Sequence, residues 1–314
     1  MPGRKTGKEI KMIITESGKI SDGFYIVGPA AVPVYLLDGP SPVLFDAGFT
    51  ALGPLYEAGI REILGDRTPE YLFLTHSHFD HIGAAGHFKQ IWPGMKIGGS
   101  RRCQEILSKE SAIRLIRELN HEGTGNLIKM GVRPLNKDPF EPFDMDILIR
   151  PDEEMELSPG LTLTGLSTPG HTRDFISYWI PEKRILIASE AVACYQNNGY
   201  IQTEFLVDFD ACLDSLMRIK HLAPAVLCAG HNAVFTGEDA ALHIKASVDA
   251  ANRYLAMTED FLKKENGDME RTVSSVKTLE WDGRPWPKQP ESAYLLNTRQ
   301  RVKTIWARMN PPVL

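Results

Sequence analysis

The chain has 314 residues, of which 43% are hydrophobic and 24% charged, and its formal net charge is −5. This composition is typical of a globular protein, and the length suits one large domain or a domain with an extension. The acidic balance argues against a nucleic-acid-binding protein, and no apolar run approaches the roughly 20 residues needed to span a membrane.

The amino-terminal residues and the cysteines bear on the cellular compartment. Residues 1–5 lead into polar residues and not into the apolar core of a signal peptide, so we expect a cytoplasmic protein. The cysteines are too widely spaced for a disulfide scaffold or a zinc knuckle, which predicts buried free thiols. They are Cys103, Cys194, Cys212 and Cys228.

The first part of the chain is predicted to form strands. Residues 11–14, 24–27, 32–37 and 43–46 are β-rich and are bounded by glycines and other turn residues. The last of these strands ends at Asp46-Ala47-Gly48, and a helix is predicted over residues 52–64.

The most informative stretch is Thr75-His76-Ser77-His78-Phe79-Asp80-His81, which follows the apolar strand predicted at residues 71–74. It lies before a short helix predicted at 84–91, and the ends of strands are where open α/β sheets form sites. Residues two apart share a face, so His76 and His78 can point the same way. Imidazole and carboxylate groups suit zinc, iron or manganese, and this spacing favours a metal centre over a polar loop.

The motif His-x-His-x-Asp-His resembles the signature of the metallo-β-lactamase superfamily. The resemblance implies an α+β fold, a four-layer αβ/βα sandwich of two sheets flanked by helices, with one or two metal ions at the sheet edge. It also implies that Asp46 lies under the metal site and supports it. An ordinary strand-to-helix turn explains Asp46-Ala47-Gly48 equally well.

Residues 101–146 are interpreted as an insertion at the rim of the site. Residues 101–121 predict one helix, and the glycines and prolines of 122–146 predict a loop. The insertion is either a wall that selects substrate or an ordinary surface excursion. Its run from Cys103 to Asn120 resembles one branch of the superfamily, the quinolone-signal biosynthesis thioesterase and response protein. That resemblance implies an ester or thioester substrate and a helical carboxy-terminal extension over the site.

The second half supplies further ligands at the ends of strands. Strands are predicted at 147–149, 155–157, 161–166, 175–180, 184–188 and 225–229, with a helix at 210–222. His171 follows a Pro-Gly turn, and His231 follows Gly230. The resemblance assigns two metal positions: a first position of His76, His78 and His171, and a second position of Asp80, His81 and His231.

Glu190, in Ser189-Glu190-Ala191, departs from the resembled pattern, which usually has an aspartate that bridges the two metals. A glutamate is one methylene longer, so it bridges differently or binds only one ion, and the number of ions and their identity stay open. Asp174 and Tyr195 lie just beyond ligand-bearing turns and are candidates to support the site or contact substrate. Asp46 is the candidate acceptor for a ligand imidazole.

The tail is predicted to be mostly helical, with helices over 240–265 and 292–309 and a loop over 267–291. The last helix has an apolar seam that packs on the core or on a partner chain, formed by Leu295, Thr298, Val302, Ile305 and Met309. We therefore divide the chain into a catalytic domain, 1–237, and a helical extension or lid, 238–314. A homodimer is one further expectation.

The resemblance implies a metal-dependent hydrolase that attacks an ester or thioester of a small molecule with a metal-bound hydroxide at a dinuclear site. Two divalent ions, of zinc, iron or manganese, would be the cofactors. Asp80 would bind a metal and orient the hydroxide. Phosphodiesterase and lactonase activities fit the same ligands. Glu190 and the long tail also motivate a regulatory or interaction protein on a hydrolase scaffold.

Overall fold

A computed structural model describes residues 13–129, 132, 136–196, 199–285, 288–289 and 291–311. Its strands are β1 (Ile13–Ile14), β2 (Gly18–Ser21), β3 (Phe24–Val27), β4 (Val34–Leu37), β5 (Val43–Phe45), β6 (Tyr71–Phe73), β7 (Lys96–Ser100), β8 (Ile147–Ile149), β9 (Glu154–Ser158), β10 (Leu161–Ser167), β11 (Ile176–Ile180), β12 (Ile185–Ser189), β13 (Cys194–Tyr195), β14 (Ile201–Gln202), β15 (Val226–Ala229) and β16 (Val234–Thr236).

The helices are α1 (Gly53–Leu64), α2 (Phe79–Ile82), α3 (Ala85–Ile91), α4 (Arg101–Leu107), α5 (Glu110–Lys129), α6 (Phe209–Leu222), α7 (Glu238–Lys264), α8 (Met269–Lys277) and α9 (Glu291–Met309). Short 3-10 turns lie at Thr50–Leu52 and Pro181–Lys183, and a π-helical turn at Thr278–Asp282 follows α8. No helix in the described ranges is long and apolar enough to cross a membrane.

Two seven-stranded sheets form the centre of the fold. The first has the order β2-β3-β4-β5-β6-β7-β8 and the second β1-β16-β15-β12-β11-β10-β9; β13 and β14 form a separate hairpin. β5 to β8 run parallel, as do β12 and β15, and the other neighbours are antiparallel. Connections that return to parallel strands place helices on the outer faces.

Three apolar clusters separate four layers. Residues from both sheets share the central cluster, in which Tyr178 of β11 packs its ring 5.7 Å from Phe45 and 5.5 Å from Phe73. A second cluster joins helices α1, α3, α4 and α5 to the first sheet, and a third joins α6 to α9 to the second sheet. The order is therefore helices, sheet, sheet, helices.

The predicted elements are confirmed over most of the chain, including the antiparallel pair β11 and β12 around Pro181–Lys183. The seam of α9 packs on the core, as its buried Thr298, Val302 and Ile305 show. The four cysteines are buried and free, as predicted. Residues 11 and 12 of the first predicted strand lie outside the described residues. The division of the chain at residue 238 stays a prediction.

The predicted single helix at 101–121 is wrong, because two helices, α4 and α5, meet at Ser108 and Lys109. Part of the predicted loop 122–146 is also wrong, since α5 continues to Lys129. Gly123 lies within that helix, where a Cβ would lie 2.5 Å from the Phe49 ring. Close packing against Phe49 therefore requires a glycine here, and this packing outweighs the weak helix propensity of glycine. Within 122–146, residues 130, 131 and 133–135 lie outside the described residues.

The predicted loop at 267–291 is wrong over its first half, which forms α8 and the π-helical turn. Asp268 caps α8 by accepting a hydrogen bond from the Arg271 N–H, and Val273 and Val276 bury its apolar face. Residues 286, 287 and 290 lie outside the described residues. Sequence reasoning also missed five strands: β2, β7, β13, β14 and β16. β7 was missed because it contains two glycines, and one of them, Gly98, packs on the Phe73 ring.

Gly48 of the Asp46-Ala47-Gly48 turn is required by the packing of Tyr56 from α1. Tyr56 is fully buried, and its hydroxyl donates to the Val32 carbonyl at 2.8 Å. Gly48 has φ +53°, and a Cβ there would lie 2.1 Å from the Tyr56 hydroxyl oxygen. The turn therefore holds α1 and the loop that follows β5 in fixed relation.

Gly48→Ala should destabilise the protein by about 2–4 kcal/mol, because a left-handed backbone and an overpacked tyrosine add their costs. Urea denaturation measures the change. Gly39→Ala is the matched control, since a Cβ at Gly39 meets no atom within 4 Å, and we expect a change below about 0.5 kcal/mol. Equal effects of the two substitutions would contradict this reading of the turn.

Candidate metal centre

The seven side chains predicted as ligands come together at one edge of the sandwich. His76, His78, Asp80 and His81 follow β6, and His171, Glu190 and His231 follow β10, β12 and β15. Ligand atoms lie within 4.8 Å of one another in three groups: His76, His78 and His171; His76, His81 and Glu190; and Asp80, His81 and His231. The shared His76 and His81 make the three groups one cluster.

Hydrogen bonds between the two sheets place the strand ends that carry these side chains. Tyr178 of the second sheet donates to the Leu74 carbonyl at 2.7 Å, two residues before His76. Tyr35 of the first sheet donates at 2.7 Å to the Ala229 carbonyl, two residues before His231. These two hydrogen bonds therefore hold the edges of the two sheets together where the cluster forms.

The three histidines predicted to form the first metal position have the donor arrangement that an ion needs. His171 donates from Nδ1 to the Glu204 carbonyl at 2.6 Å, so the lone pair of the neutral ring is on Nε2, 3.1 Å from His78 Nδ1. Two nitrogens bound to one tetrahedral ion at about 2.0–2.1 Å would be about 3.3 Å apart. His76 Nε2 is buried and has no hydrogen-bond partner among the residues that the structure describes. A buried unpaired nitrogen beside two others fits a cation.

The pKa values at the first metal position favour neutral imidazoles. Burial, followed by the neighbouring His78, lowers the pKa of His171 to about 4. Burial likewise lowers the pKa of His78, and it lowers that of His76 well below its usual value. Neutral imidazole is the form that binds a metal, so these three rings need no deprotonation at neutral pH.

Glu190 lies between the two positions. Its Oε1 is 2.9 Å from His81 Nε2 and 2.7 Å from His231 Nε2. Its Oε2 accepts a hydrogen bond from the Ser189 hydroxyl at 2.7 Å and lies 4.0 Å from His76 Nε2. The Glu190 carboxylate therefore faces His81 and His231 of the second predicted metal position and His76 of the first.

The second metal position contains opposite charges. Burial opposes ionisation of Glu190, but His81 and His231 hold the pKa of its carboxyl well below the usual range. Burial also lowers the pKa of His81, but Glu190 and Asp46 outweigh it and raise that pKa well above its usual value. The carboxylates here balance positive charge, whether it is carried by protons or by a cation.

Gly230 leaves the space that the longer Glu190 side chain occupies. A Cβ at residue 230 would lie 2.6 Å from both Cδ and Oε1 of Glu190 and 2.8 Å from Oε2. The glycine before His231 therefore fits the glutamate, which departs from the resembled aspartate.

The three residues proposed to support the site lie around the cluster in different ways. Asp46 accepts hydrogen bonds from the Thr75 N–H at 2.8 Å and from His81 Nδ1 at 2.9 Å. Asp174 is buried and accepts from the Ser77 N–H at 2.8 Å, a position that suits support of the loop better than contact with substrate. Tyr195 accepts through its carbonyl from the Asn232 side chain at 2.9 Å, beside the His231 turn.

Sequence reasoning missed three groups that hold ligand rings. The carbonyls of Glu204 and Ala31 accept from Nδ1 of His171 and His231 at 2.6 Å each, and Thr75 Oγ1 lies 3.0 Å from His76 Nδ1. Carbonyl contacts leave no trace in residue type, so no motif points to the first two. Thr75 lies inside the motif, and its hydroxyl, next to His76 in the sequence, could have indicated this hydrogen bond.

Comparison with known proteins places these features in a family. The model of the metallo-beta-lactamase superfamily matches residues 27–231. The chain is 26% identical over 233 residues to the probable metallo-hydrolase YflN of Bacillus subtilis, covering 66% of this chain and 82% of that protein. It is 27% identical over 125 residues to a hydroxyacylglutathione hydrolase of Bartonella henselae, covering 40% of this chain and 35% of the relative.

The metallo-beta-lactamase family protein TTHA1429 from Thermus thermophilus is similar in structure. The TM-score is 0.61 with 19% identity, over 93% of this chain and 95% of that protein. The predicted α+β class, with two sheets flanked by helices and helices at the carboxy terminus, is confirmed.

Gly230→Ala should displace the Glu190 carboxylate and weaken metal binding at least tenfold, roughly the cost of disturbing the support of a ligand. Chelator competition with Zn²⁺ measures the affinity. Gly94→Ala is the matched control, because a Cβ there meets no atom within 4 Å. Unchanged affinity in Gly230→Ala would show that the position of Glu190 is not important for the metal.

Proposed function

The chain belongs to the metallo-beta-lactamase superfamily of hydrolases, and on that basis we propose that it hydrolyses an ester or thioester of a small molecule with two divalent metal ions. His76, His78 and His171 would hold one ion, and Asp80, His81 and His231 the other. Glu190 would be shared between them.

The observation that carries this proposal is the place of Glu190. Its Oε1 is within 2.9 Å of a nitrogen on both His81 and His231, and its other oxygen faces His76. A single carboxylate between two groups of imidazoles supports a pair of ions better than one ion at either side. The mixed nitrogen and oxygen donors suit zinc, iron or manganese.

A bound pair of divalent ions would supply a nucleophile at neutral pH and polarise the scissile carbonyl. The residues of the chain would bind the substrate and orient the attacking water. Asp80 and His231, with side chains 18% and 22% exposed, and His78 are the partly exposed members, so this side of the cluster is open to substrate. Asp80 would accept a hydrogen bond from the attacking water and orient it. His76 and His171 are buried on the side of the cluster that faces the protein interior.

The substrate class rests on two similarities. The hydroxyacylglutathione hydrolases among the relatives are named for a substrate in which glutathione, a thiol, carries an acyl group. The run from Cys103 to Asn120 resembles the quinolone-signal thioesterase branch, and this assignment stays a prediction. Both favour a thioester over other bonds. A cytoplasmic location and a homodimer stay predictions as well.

The proposal is tested with a panel of acyl-thioester, ester, lactone and phosphodiester substrates. We expect thioester or ester turnover that a chelator abolishes and that added Zn²⁺, Fe²⁺ or Mn²⁺ restores. Faster turnover of the lactone or the phosphodiester would replace the proposed substrate class. No turnover of any substrate, together with a tight protein partner in a pull-down, would favour the regulatory reading.

Asp80→Asn should lower kcat/KM by roughly 10²–10⁴-fold, since the amide still fills the space but is a poorer ligand and proton acceptor. Steady-state kinetics on the best substrate measure the loss. Asp249→Asn is the control, because the Asp249 side chain is 46% exposed and pairs with Lys245 across one helix turn. Full activity in Asp80→Asn would exclude the role proposed for Asp80.

A further inference from the structure

We propose that Arg301 of α9 is a positioning residue for His171, so that the carboxy-terminal helices help to set the first metal position. This inference rests on the proposed function, because it takes His171 as a metal ligand. It extends that function to a residue about 130 positions away in the chain, outside the residues 27–231 that the family model matches.

Among the residues that the structure describes, Arg301 is the largest fully buried side chain. Its guanidinium donates to the Thr203 carbonyl at 2.9 Å, to Glu280 at 3.1 Å and to the Thr298 hydroxyl at 2.9 Å. The plane of the group also lies over the Tyr254 ring, 4.2 Å from its centroid. Arg301 is therefore held from several directions while it fixes the backbone at residue 203.

The next residue carries the contact with the metal centre. The Glu204 carbonyl accepts the hydrogen bond from His171 Nδ1 at 2.6 Å. The Glu204 side chain accepts from Gln202 and, at 3.1 Å, from Asn297, which also belongs to α9. Helix α9 thus holds residues 203 and 204 through both a backbone oxygen and a side chain.

The hydrogen bond to Glu204 decides how His171 faces the cluster. A proton held on Nδ1 leaves the lone pair of the neutral ring on Nε2, which points to His78 and His76. A partner behind a ligand imidazole fixes its tautomer and orientation, and losing such a partner costs about 10–100-fold in metal affinity. A shift of the Glu204 carbonyl would therefore weaken metal binding by His171.

Burial of a guanidinium is costly unless its charge and its donors are matched. Here Glu280 supplies the opposite charge, and Tyr200 and Tyr294 donate to the same carboxylate. Arg301 Nε is buried and has no hydrogen-bond partner among the described residues, so the donors are matched only in part. A hydrophobic residue would fill this space without needing an opposite charge or hydrogen-bond acceptors. The rigid, forked geometry of the arginine explains its presence, because it reaches Thr203 and Glu280 together.

The test uses His231→Ala protein, in which the second metal position is disabled and Zn²⁺ affinity reports the first. Arg301→Lys keeps the positive charge but lacks the two guanidinium nitrogens that reach Thr203 and Glu280 together. This substitution should weaken Zn²⁺ binding about tenfold in chelator competition. Ile305→Val is the matched control. Ile305 lies one turn further along α9, is fully buried, and packs in the apolar cluster through which α9 docks on the second sheet. This substitution should change the affinity less than about twofold.

Equal Zn²⁺ affinities in the Arg301→Lys and Ile305→Val proteins, whether reduced or not, would overturn the inference, because the effect would then be absent or general to the docking of α9. A His231→Ala parent that binds no Zn²⁺ would instead overturn the proposed function, and the inference with it.

A second variant replaces Arg301→Lys if that protein does not fold. Arg301→Gln combined with Glu280→Gln removes both charges of the Arg301–Glu280 pair together. Thermal denaturation separates folding from affinity. A folded double variant with Zn²⁺ affinity equal to its parent would also overturn the inference, and about tenfold weaker binding would support it.

Discussion

The carboxylate of Glu190 is the group on which the arrangement of the cluster depends. It is buried and ionised, so it must be surrounded by positive charge or by hydrogen-bond donors. His81, His231 and Ser189 meet that demand, and they come from three different parts of the chain. The strand ends that carry these residues are therefore held to one another by a charge, in addition to the apolar packing between the sheets. A cation among the same nitrogens would meet the same demand.

A second layer of contacts fixes the directions of the ligand rings. Different elements reach the far nitrogens of the imidazoles: Asp46 after β5, Thr75 after β6, Ala31 before β4 and Glu204 after β14. No single loop builds the site. This distribution explains why packing far from the cluster, such as Tyr56 against Gly48 or Arg301 against Thr203, bears on its geometry.

The sequence predicted the cluster better than its surroundings. His76, His78, Asp80 and His81 were found because their spacing is local. His171, Glu190 and His231 were found because the resembled family has ligands at these positions, at the ends of apolar strands. Their role as ligands stays a prediction. Glu204 and Arg301 were missed, since a carbonyl contact has no sequence signal and the buried arginine pairs across nearly 100 residues of chain. Helix α5 was partly misread and helix α8 was missed, because glycines and prolines signal loops, whereas tertiary packing retains Gly123 in a helix.

If Glu190 lies between two metal positions, each position should hold its own ion. Elemental analysis of the wild-type protein and of His231→Ala, both purified without added metal, measures the number of ions. We expect about two divalent ions per chain in the wild type and about one in His231→Ala. One ion or fewer in both proteins would contradict a dinuclear site and would mean that the longer Glu190 side chain serves a single ion or none.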